Sequence, residues 1–168
     1  MRRTAPKYKI EIQGAYHEYA EVTVNGQRTH RIRGKSGGYR LVAAFDGLII
    51  KVDHRVYQST TYGSYDVYSQ TKLELDAYKK ITRADRKYFP KILAHGSVLH
   101  QGVKCCWLIE PEYQRGEGYS LSDENKPIIR RLINKYDLDD LDNSDTPDDY
   151  CNWMLTVDNK IMIYDFAL

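Results

Sequence analysis

Cysteine is scarce in this chain of 168 residues, which has three, at positions Cys105, Cys106 and Cys151. Two of them are adjacent, and no pair shows the C-x-x-C spacing of zinc sites and redox motifs. The pattern therefore predicts neither a disulfide framework nor a zinc centre. A reduced intracellular compartment is the expected location.

Long apolar runs and a strong excess of one charge are also missing. No segment approaches the roughly 20 apolar residues of a membrane-spanning helix, and no apolar signal-peptide core follows the basic start Met1-Arg2-Arg3. The formal net charge is +2, too small for a protein that depends on nonspecific contacts with nucleic acid. We therefore expect no membrane association and no nucleic-acid partner. A nucleic-acid binder stays open as a third class of function, using Arg28, His30, Arg31, Arg33, Lys35 and Arg40.

The sequence does contain the pattern of an α+β chain that begins as an antiparallel sheet. Asn25-Gly26 and Asp46-Gly47 predict two-residue hairpin turns, because these residue types tolerate positive φ. Apolar residues at four-residue spacing predict a helix over 71–82, and a second helix is predicted over 123–136. The polar stretch 54–69 predicts a loop. Strands are predicted over 8–12, 21–24, 28–32, 39–45, 48–52, 89–93 and 103–110, the last two joined around His95-Gly96.

The carboxyl-terminal segment predicts a tight hairpin with polar residues at its open end. Two apolar runs, 153–157 and 160–164, flank Asp158-Asn159, which suits a two-residue turn. Such a turn pairs residue 153 with residue 164, so Asn152 would fall opposite Asp165, with the Cα atoms roughly 4.5–5.5 Å apart. An amide oxygen and a carboxylate that converge in this way suit Mg²⁺.

The segment from Asn152 to Ala167 resembles the catalytic-loop Asn and the Asp-Phe-Gly element of the protein-kinase-like fold, with Ala167 where Gly is expected. The resemblance covers roughly residues 30–168. In this respect the chain is similar to small phage and bacterial kinases, but it is truncated after the Asp-Phe-Gly-like element. It implies a β-rich small lobe over 1–113, of which 1–29 is an added strand or hairpin extension. A hinge over 114–122 and a minimal helical lobe over 123–168 would follow.

The resemblance also implies a site for ATP and Mg²⁺. Lys51 would hold the α- and β-phosphates, and Glu74 would pair with Lys51, while Asn152 and Asp165 would hold the metal. The alternative for Glu74 is a capping box with Thr71. The remaining residues expected to bind ATP are Gly34, Gly37 and Gly38, in a loop over the phosphates, and Glu110 and Glu112, where the last strand meets the hinge.

The residue that would accept the proton of the substrate hydroxyl is not fixed by the pattern. In the kinase family a catalytic Asp lies five residues before the Asn, but Pro147 occupies that position. Asp148 is one candidate, but it lies four residues before Asn152 instead of five. Asp140, followed by Leu141-Asp142, is the other candidate, with a longer loop before Asn152.

The function implied by the resemblance is transfer of phosphate from ATP to a serine, threonine or tyrosine hydroxyl of a protein. The alternative is a pseudokinase, a nucleotide-binding or protein-binding module that regulates a partner protein. A homodimer stays open. The expected location is the cytoplasm, which would be the host cytoplasm for a phage-encoded chain.

Overall fold

The computed structural model describes residues 8–14, 20–32, 40–54, 57–59, 66–114, 116, 124–138 and 153–164. Within these ranges the chain is α+β, with antiparallel sheets and two α-helices, which confirms the predicted class. No helix in them is long and apolar enough to cross a membrane. The elements are β1 (Ile10–Gln13), β2 (Glu21–Val24), β3 (Gln27–Arg28), β4 (His30–Arg31), β5 (Arg40–Phe45), β6 (Leu48–Asp53), β7 (Tyr57–Ser59), β8 (Asp66–Tyr68), α1 (Gln70–Lys80), β9 (Ala94–His100), β10 (Val103–Pro111), α2 (Lys126–Tyr136), β11 (Trp153–Leu155) and β12 (Ile161–Ile163).

The chain forms two compact units. The first comprises Met1–Lys72 and Ile92–Glu112, and the second comprises Leu73–Lys91 and Tyr113–Leu168. The first unit contains a three-stranded sheet of order β1-β2-β3 and a five-stranded sheet of order β4-β5-β6-β10-β9. Strands β7 and β8 pair antiparallel within the stretch that was expected to be a loop. The division into a small lobe, hinge and helical lobe stays a prediction.

The two predicted hairpin turns are confirmed. Val24 pairs with Gln27 across Asn25-Gly26, and Phe45 pairs with Leu48 across Asp46-Gly47. All four turn residues have positive φ, between 47° and 80°. This is the conformation that joins twisted antiparallel strands with two residues, and it follows from local chemistry alone.

For the next strand pair, the predicted strand 103–110 is confirmed by β10, but the predicted strand 89–93 and its turn around His95-Gly96 are wrong. β9 begins at Ala94 and runs through His95-Gly96, and its turn to β10 lies at Gln101-Gly102, where φ is 49° and 78°. Pro90 has no amide hydrogen to donate to a sheet, so the segment before Ala94 stays outside the strand. Gly96 lies beneath the Trp107 indole on β10, where a Cβ atom would come within 2.6 Å of Cζ2. This glycine therefore provides the space for the ring.

Strand β6 separates an apolar face of the five-stranded sheet from a charged one. Ile50 and Val52 are fully buried in a core with Leu41, Trp107 and Ile109. Residues of the three-stranded sheet, including Ile10, Val22 and Val24, belong to the same core. Because side chains alternate along a strand, Lys51 and Asp53 lie on the opposite face.

The second unit has its own core, built from both helices and the terminal hairpin. Ala77 of α1 and Ile81, the first residue after α1, pack with Ile129 and Leu132 of α2. Helix α2 begins at Lys126 rather than 123, and it ends at Asp137 in the left-handed conformation, with φ of 54°. Phe89, Trp153, Ile161 and Ile163 complete this core.

The predicted hairpin exists, but its register differs by one residue. Trp153 pairs with Ile163 and Leu155 with Ile161, not 153 with 164. The turn takes three residues: the Asn159 amide donates to the Thr156 carbonyl oxygen at 2.8 Å, and Asn159 has φ of 57°. A type I turn followed by a left-handed residue is a common hairpin loop. The register that set Asn152 opposite Asp165 is therefore not the one observed.

Candidate functional site: a buried charged face

Lys51 lies in the middle of β6, not at the end of the strand. It pairs with Val42 of β5 on one side and with Leu108 of β10 on the other. Its side chain is only 5% exposed. An ammonium group buried to this extent requires a negative charge nearby, because an isolated buried cation is strongly unfavourable.

A carboxylate on the neighbouring strand supplies that charge. The Lys51 Nζ atom lies 3.1 Å from Oε1 of Glu110, whose side chain is 6% exposed. Glu110 is two residues from Leu108 on β10, so it projects from the same face as Lys51. Glu110 was expected at the hinge as an ATP-binding residue, whereas the structure places it inside the sheet. Glu74, also almost completely buried, was the expected partner of Lys51, and that pairing stays a prediction.

Asp53 lies on the same face, two residues after Lys51, and anchors the start of helix α1. Its Oδ1 atom accepts hydrogen bonds from the Thr71 amide at 3.1 Å and the Thr71 hydroxyl at 2.7 Å. The Ser69 hydroxyl donates to Oδ2 of Asp53. A carboxylate at a helix amino terminus satisfies amides that have no partner within the helix and interacts favourably with its dipole.

These contacts rule out the capping box with Thr71 and Glu74. Helix α1 begins at Gln70, so Ser69 is its N-cap. The Ser69 hydroxyl accepts a hydrogen bond from the Lys72 amide at 3.0 Å, the third amide of the helix. Thr71 is therefore already helical, and Glu74 is not at the position that closes a capping box.

Arg40 adds a second cation to this face. It pairs directly with Asp53 across β5 and β6. Arg40, Lys51, Asp53 and Glu110 are all at least 95% buried and together carry two positive and two negative charges. Burial of four charges is tolerable when they balance and are hydrogen-bonded. We call these four residues the charged face.

Of the other predicted site residues that the structure describes, Glu112 lies outside the charged face. Glu112 is exposed, and its amide donates to the Gly47 carbonyl oxygen at 2.9 Å. No set of three histidine, cysteine, aspartate or glutamate side chains is arranged to hold a metal ion in the ranges that the structure describes. The remaining predicted residues lie outside those ranges, namely Gly34, Gly37, Gly38, Asp140, Asp148, Asn152 and Asp165.

Sequence reasoning missed Asp53 and Arg40. A usable signal existed for Asp53, because Lys51 and Asp53 are two residues apart in a predicted strand and must share a face. Arg40 could be placed only with the β5–β6 register, which the Asp46-Gly47 turn fixes. Extending that register from the turn by five residue pairs sets Arg40 against Asp53.

A further buried carboxylate, Asp85, lies in the second unit. It accepts hydrogen bonds from Arg131 at 2.9 Å, Lys135 at 2.7 Å and the Tyr136 hydroxyl at 2.6 Å. The Arg131 guanidinium, followed by Lys135 and Tyr136, holds the pKa of the Asp85 carboxyl well below its usual range. All donors belong to the protein, so we interpret Asp85 as a structural link between α2 and the turn after α1.

The chain matches no model of a known protein family, and a search of curated proteins finds no match either. A functional assignment therefore depends on the charged face and on the motifs in the sequence.

Proposed function

We propose that this chain is a protein-kinase-like phosphotransferase that binds ATP with Mg²⁺ and transfers phosphate to a protein hydroxyl. The observation that carries the proposal is the buried ammonium of Lys51 at the centre of a five-stranded antiparallel sheet. A lysine buried in a sheet interior has little structural use, since an apolar residue would pack there without the unfavourable desolvation of a charge. An anionic ligand gives this ammonium a role.

The order of elements supports the same proposal. The lysine strand β6 is followed along the chain by helix α1 and by the antiparallel pair β9 and β10. The chain enters the second unit first at Leu73 and again at Tyr113. The terminal hairpin β11–β12 then follows α2. This is the order in which the kinase-like motifs occur in the sequence.

In the proposed site each group acts by position and charge. Phosphoryl transfer needs in-line placement of the reactants and stabilisation of charge on the phosphate oxygens, which a compact ammonium such as Lys51 supplies. Asn152 and Asp165 are the residues that would hold Mg²⁺, which bridges phosphate oxygens and offsets their charge. Asp148 or Asp140 would orient the acceptor hydroxyl.

We predict that millimolar Mg·ATP raises the melting temperature of the chain. A ligand at about 100 times its Kd stabilises the folded state by about 2.7 kcal/mol, which corresponds to about 5–10 °C for a chain of this size. Lys51→Met should remove most of this ligand-induced shift. Each shift is measured against the same variant without ATP, because Lys51→Met also removes the ion pair with Glu110.

Lys104→Met is the matched control, since Lys104 is an exposed lysine on the neighbouring strand β10. It should keep the full shift. If the parent chain shows no shift at millimolar Mg·ATP, neither the kinase nor the nucleotide-binding pseudokinase is correct.

A nucleotide-binding module without transfer activity is the second candidate. The contact of Lys51 with Glu110 favours it, because the lysine already has an internal counter-ion. The hairpin register favours it too, since it removes the argument that set Asn152 opposite Asp165.

Mass spectrometry after incubation with Mg·ATP separates the two candidates. A phosphotransferase should place phosphate on hydroxyls of the chain itself, first within 54–69, where Tyr, Ser and Thr are dense. Asp165→Ala should abolish the modification, and loss in Asp148→Asn but not in Asp140→Asn would identify the base. ATP binding without phosphate on this chain or on a generic acceptor protein would identify the pseudokinase.

A further inference from the structure

We propose that Glu110 is an internal competitor for Lys51 and makes the site selective for ligands with several adjacent phosphates. This inference rests on the proposed function, because it concerns the lysine that would bind the nucleotide. It assigns Glu110 a role opposite to the one expected from the sequence. Glu110 opposes ligand binding through Lys51.

The geometry makes Lys51 the partner that moves. The backbones of both residues are fixed in paired strands, since Glu110 lies opposite Ile49 and Lys51 lies between Val42 and Leu108. The difference lies in the side chains, because the glutamate stem is shorter than the lysine stem. The Glu110 carboxylate therefore stays close to the sheet. Lys51 has a four-carbon stem with several rotatable bonds, so its ammonium can leave Oε1 and reach a ligand on the same face.

Two arrangements of this lysine are then in competition. Without ligand the ammonium lies 3.1 Å from the Glu110 carboxylate. With ligand it lies on a phosphate, and Glu110 is left as a buried anion whose counter-ion has moved away. Breaking a buried pair in this way is strongly unfavourable. The apparent affinity is the intrinsic affinity multiplied by the fraction of molecules whose lysine is not committed to Glu110.

The charge of the ligand determines which anions can displace Glu110 from Lys51. A single phosphate offers Lys51 little more than the carboxylate that it replaces. A triphosphate with Mg²⁺ gives the lysine several oxygens at once, and the metal offsets negative charge near the displaced Glu110. The ion pair should therefore exclude monophosphates more strongly than triphosphates.

The test uses the full chain and two probes, inorganic tripolyphosphate and inorganic phosphate, each titrated with Mg²⁺ by calorimetry. Glu110→Gln removes the competing charge and nearly preserves the shape of the side chain. It should bind tripolyphosphate about tenfold more tightly than the parent, a change of about 1.4 kcal/mol. The ratio of the affinity for tripolyphosphate to the affinity for phosphate should be smaller in Glu110→Gln than in the parent.

Glu11→Gln is the matched control, because Glu11 forms an exposed ion pair with Lys9 in the same unit and should leave both affinities unchanged. If Glu110→Gln fails to fold, Glu110→Asp keeps the charge but shortens the side chain, and it should raise the affinity by a smaller factor.

The outcomes separate the inference from the proposed function. If the parent binds tripolyphosphate and Glu110→Gln binds it equally or more weakly, Glu110 is not a competitor and the inference fails alone. If neither the parent nor the folded variant binds either probe, both the proposed function and the inference fail.

Discussion

Asp85→Ala is expected to destabilise the second unit by about 2–4 kcal/mol, since it removes an acceptor that holds three charged or polar donors. Asp85 is 4% exposed and also accepts from the Thr82 hydroxyl at 3.1 Å. The Asp85 amide donates to the Thr82 carbonyl oxygen, and the Asp85 carbonyl oxygen accepts from the Tyr88 amide. The backbone of Asp85 is thus part of the turn after α1, and its carboxylate attaches this turn to α2.

The expected loss in stability is smaller than the loss from breaking a fully buried ion pair, because the two cations are only half buried. The side chains of Arg131 and Lys135 are 47% and 42% exposed and can return to water when the carboxylate is removed. Their contribution is therefore reduced by solvent screening. Most of the loss in stability comes from removing the hydrogen bonds of the buried carboxylate. These include the 2.6 Å bond from the Tyr136 hydroxyl.

Urea unfolding followed by tryptophan fluorescence measures the stability of the second unit. The chain has two tryptophans, and Trp153 lies in the core that contains α2. In a Trp107→Phe background Trp153 is the sole reporter. Asp76→Ala is the control, because Asp76 pairs with Lys79 on the surface of α1 and should change stability by less than about 0.5 kcal/mol. A loss in Asp85→Ala no larger than in the control would contradict the structural link.

The same carboxylate gives a pH dependence with a defined sign. The pKa of Asp85 is lower in the folded chain than in the unfolded chain, because Arg131, Lys135 and Tyr136 favour its charged form. Its stabilising contribution is therefore complete above about pH 5 and is lost as the pH falls below the ordinary value of about 4. The difference between the parent and Asp85→Asn should shrink from pH 7 to about pH 2.

Local chemistry was enough to predict two turns of the first unit and the class of the fold. Asn25-Gly26 and Asp46-Gly47 were confirmed because a two-residue turn of this kind needs positive φ at both positions. The burial of Lys51 was also readable, since apolar residues surround it in the sequence. Each of these features depends on residues that are close together in the chain.

Features that depend on distant strands were not predictable in the same way. Lys51 meets Glu110 because β6 pairs with β10, and that register is set after helix α1 and strand β9 have intervened. The terminal hairpin failed for a different reason. Asp158-Asn159 fits both a two-residue and a three-residue turn, and the choice moves every later side chain to the opposite face.

The start of α1 shows how a distant carboxylate can replace a local signal. Thr71 and Glu74 have the spacing of a capping box, but Asp53 takes both the amide and the hydroxyl of Thr71 as donors. Asp53 is a fully buried acceptor, so leaving it without these donors would be unfavourable, and Ser69, five residues before Glu74, takes the N-cap position instead. Nothing within the helix sequence reports the position of Asp53.

Asp53→Ala should be the most damaging single change in the first unit, with a loss of about 3 kcal/mol in the free energy of unfolding. The substitution removes the acceptor of both Thr71 donors, which are buried, and of the Ser69 hydroxyl, which is partly buried. It also removes the carboxylate directly opposite Arg40, which leaves the charged face with an excess of positive charge.

Two further variants divide this loss into its causes. Asp53→Asn keeps an oxygen for Thr71 and should lose about 1 kcal/mol. Ser69→Ala removes the N-cap and one donor to Asp53 but leaves both Thr71 contacts, and it should lose a similar amount. Fluorescence of Trp107, in the core of the first unit, reports the unfolding in a Trp153→Phe background.

A double-mutant cycle between Asp53→Ala and Thr71→Val tests whether the two residues act as one unit. Valine has nearly the shape of threonine without the hydroxyl, so it removes the 2.7 Å hydrogen bond and retains the packing. The combined loss should fall short of the sum of the single losses by about 1 kcal/mol, as is typical of residues in direct contact. Hydrogen exchange at the amides of Thr71 and Lys72 should accelerate in Asp53→Ala. Additive losses together with unchanged exchange would show that Asp53 does not anchor the start of α1.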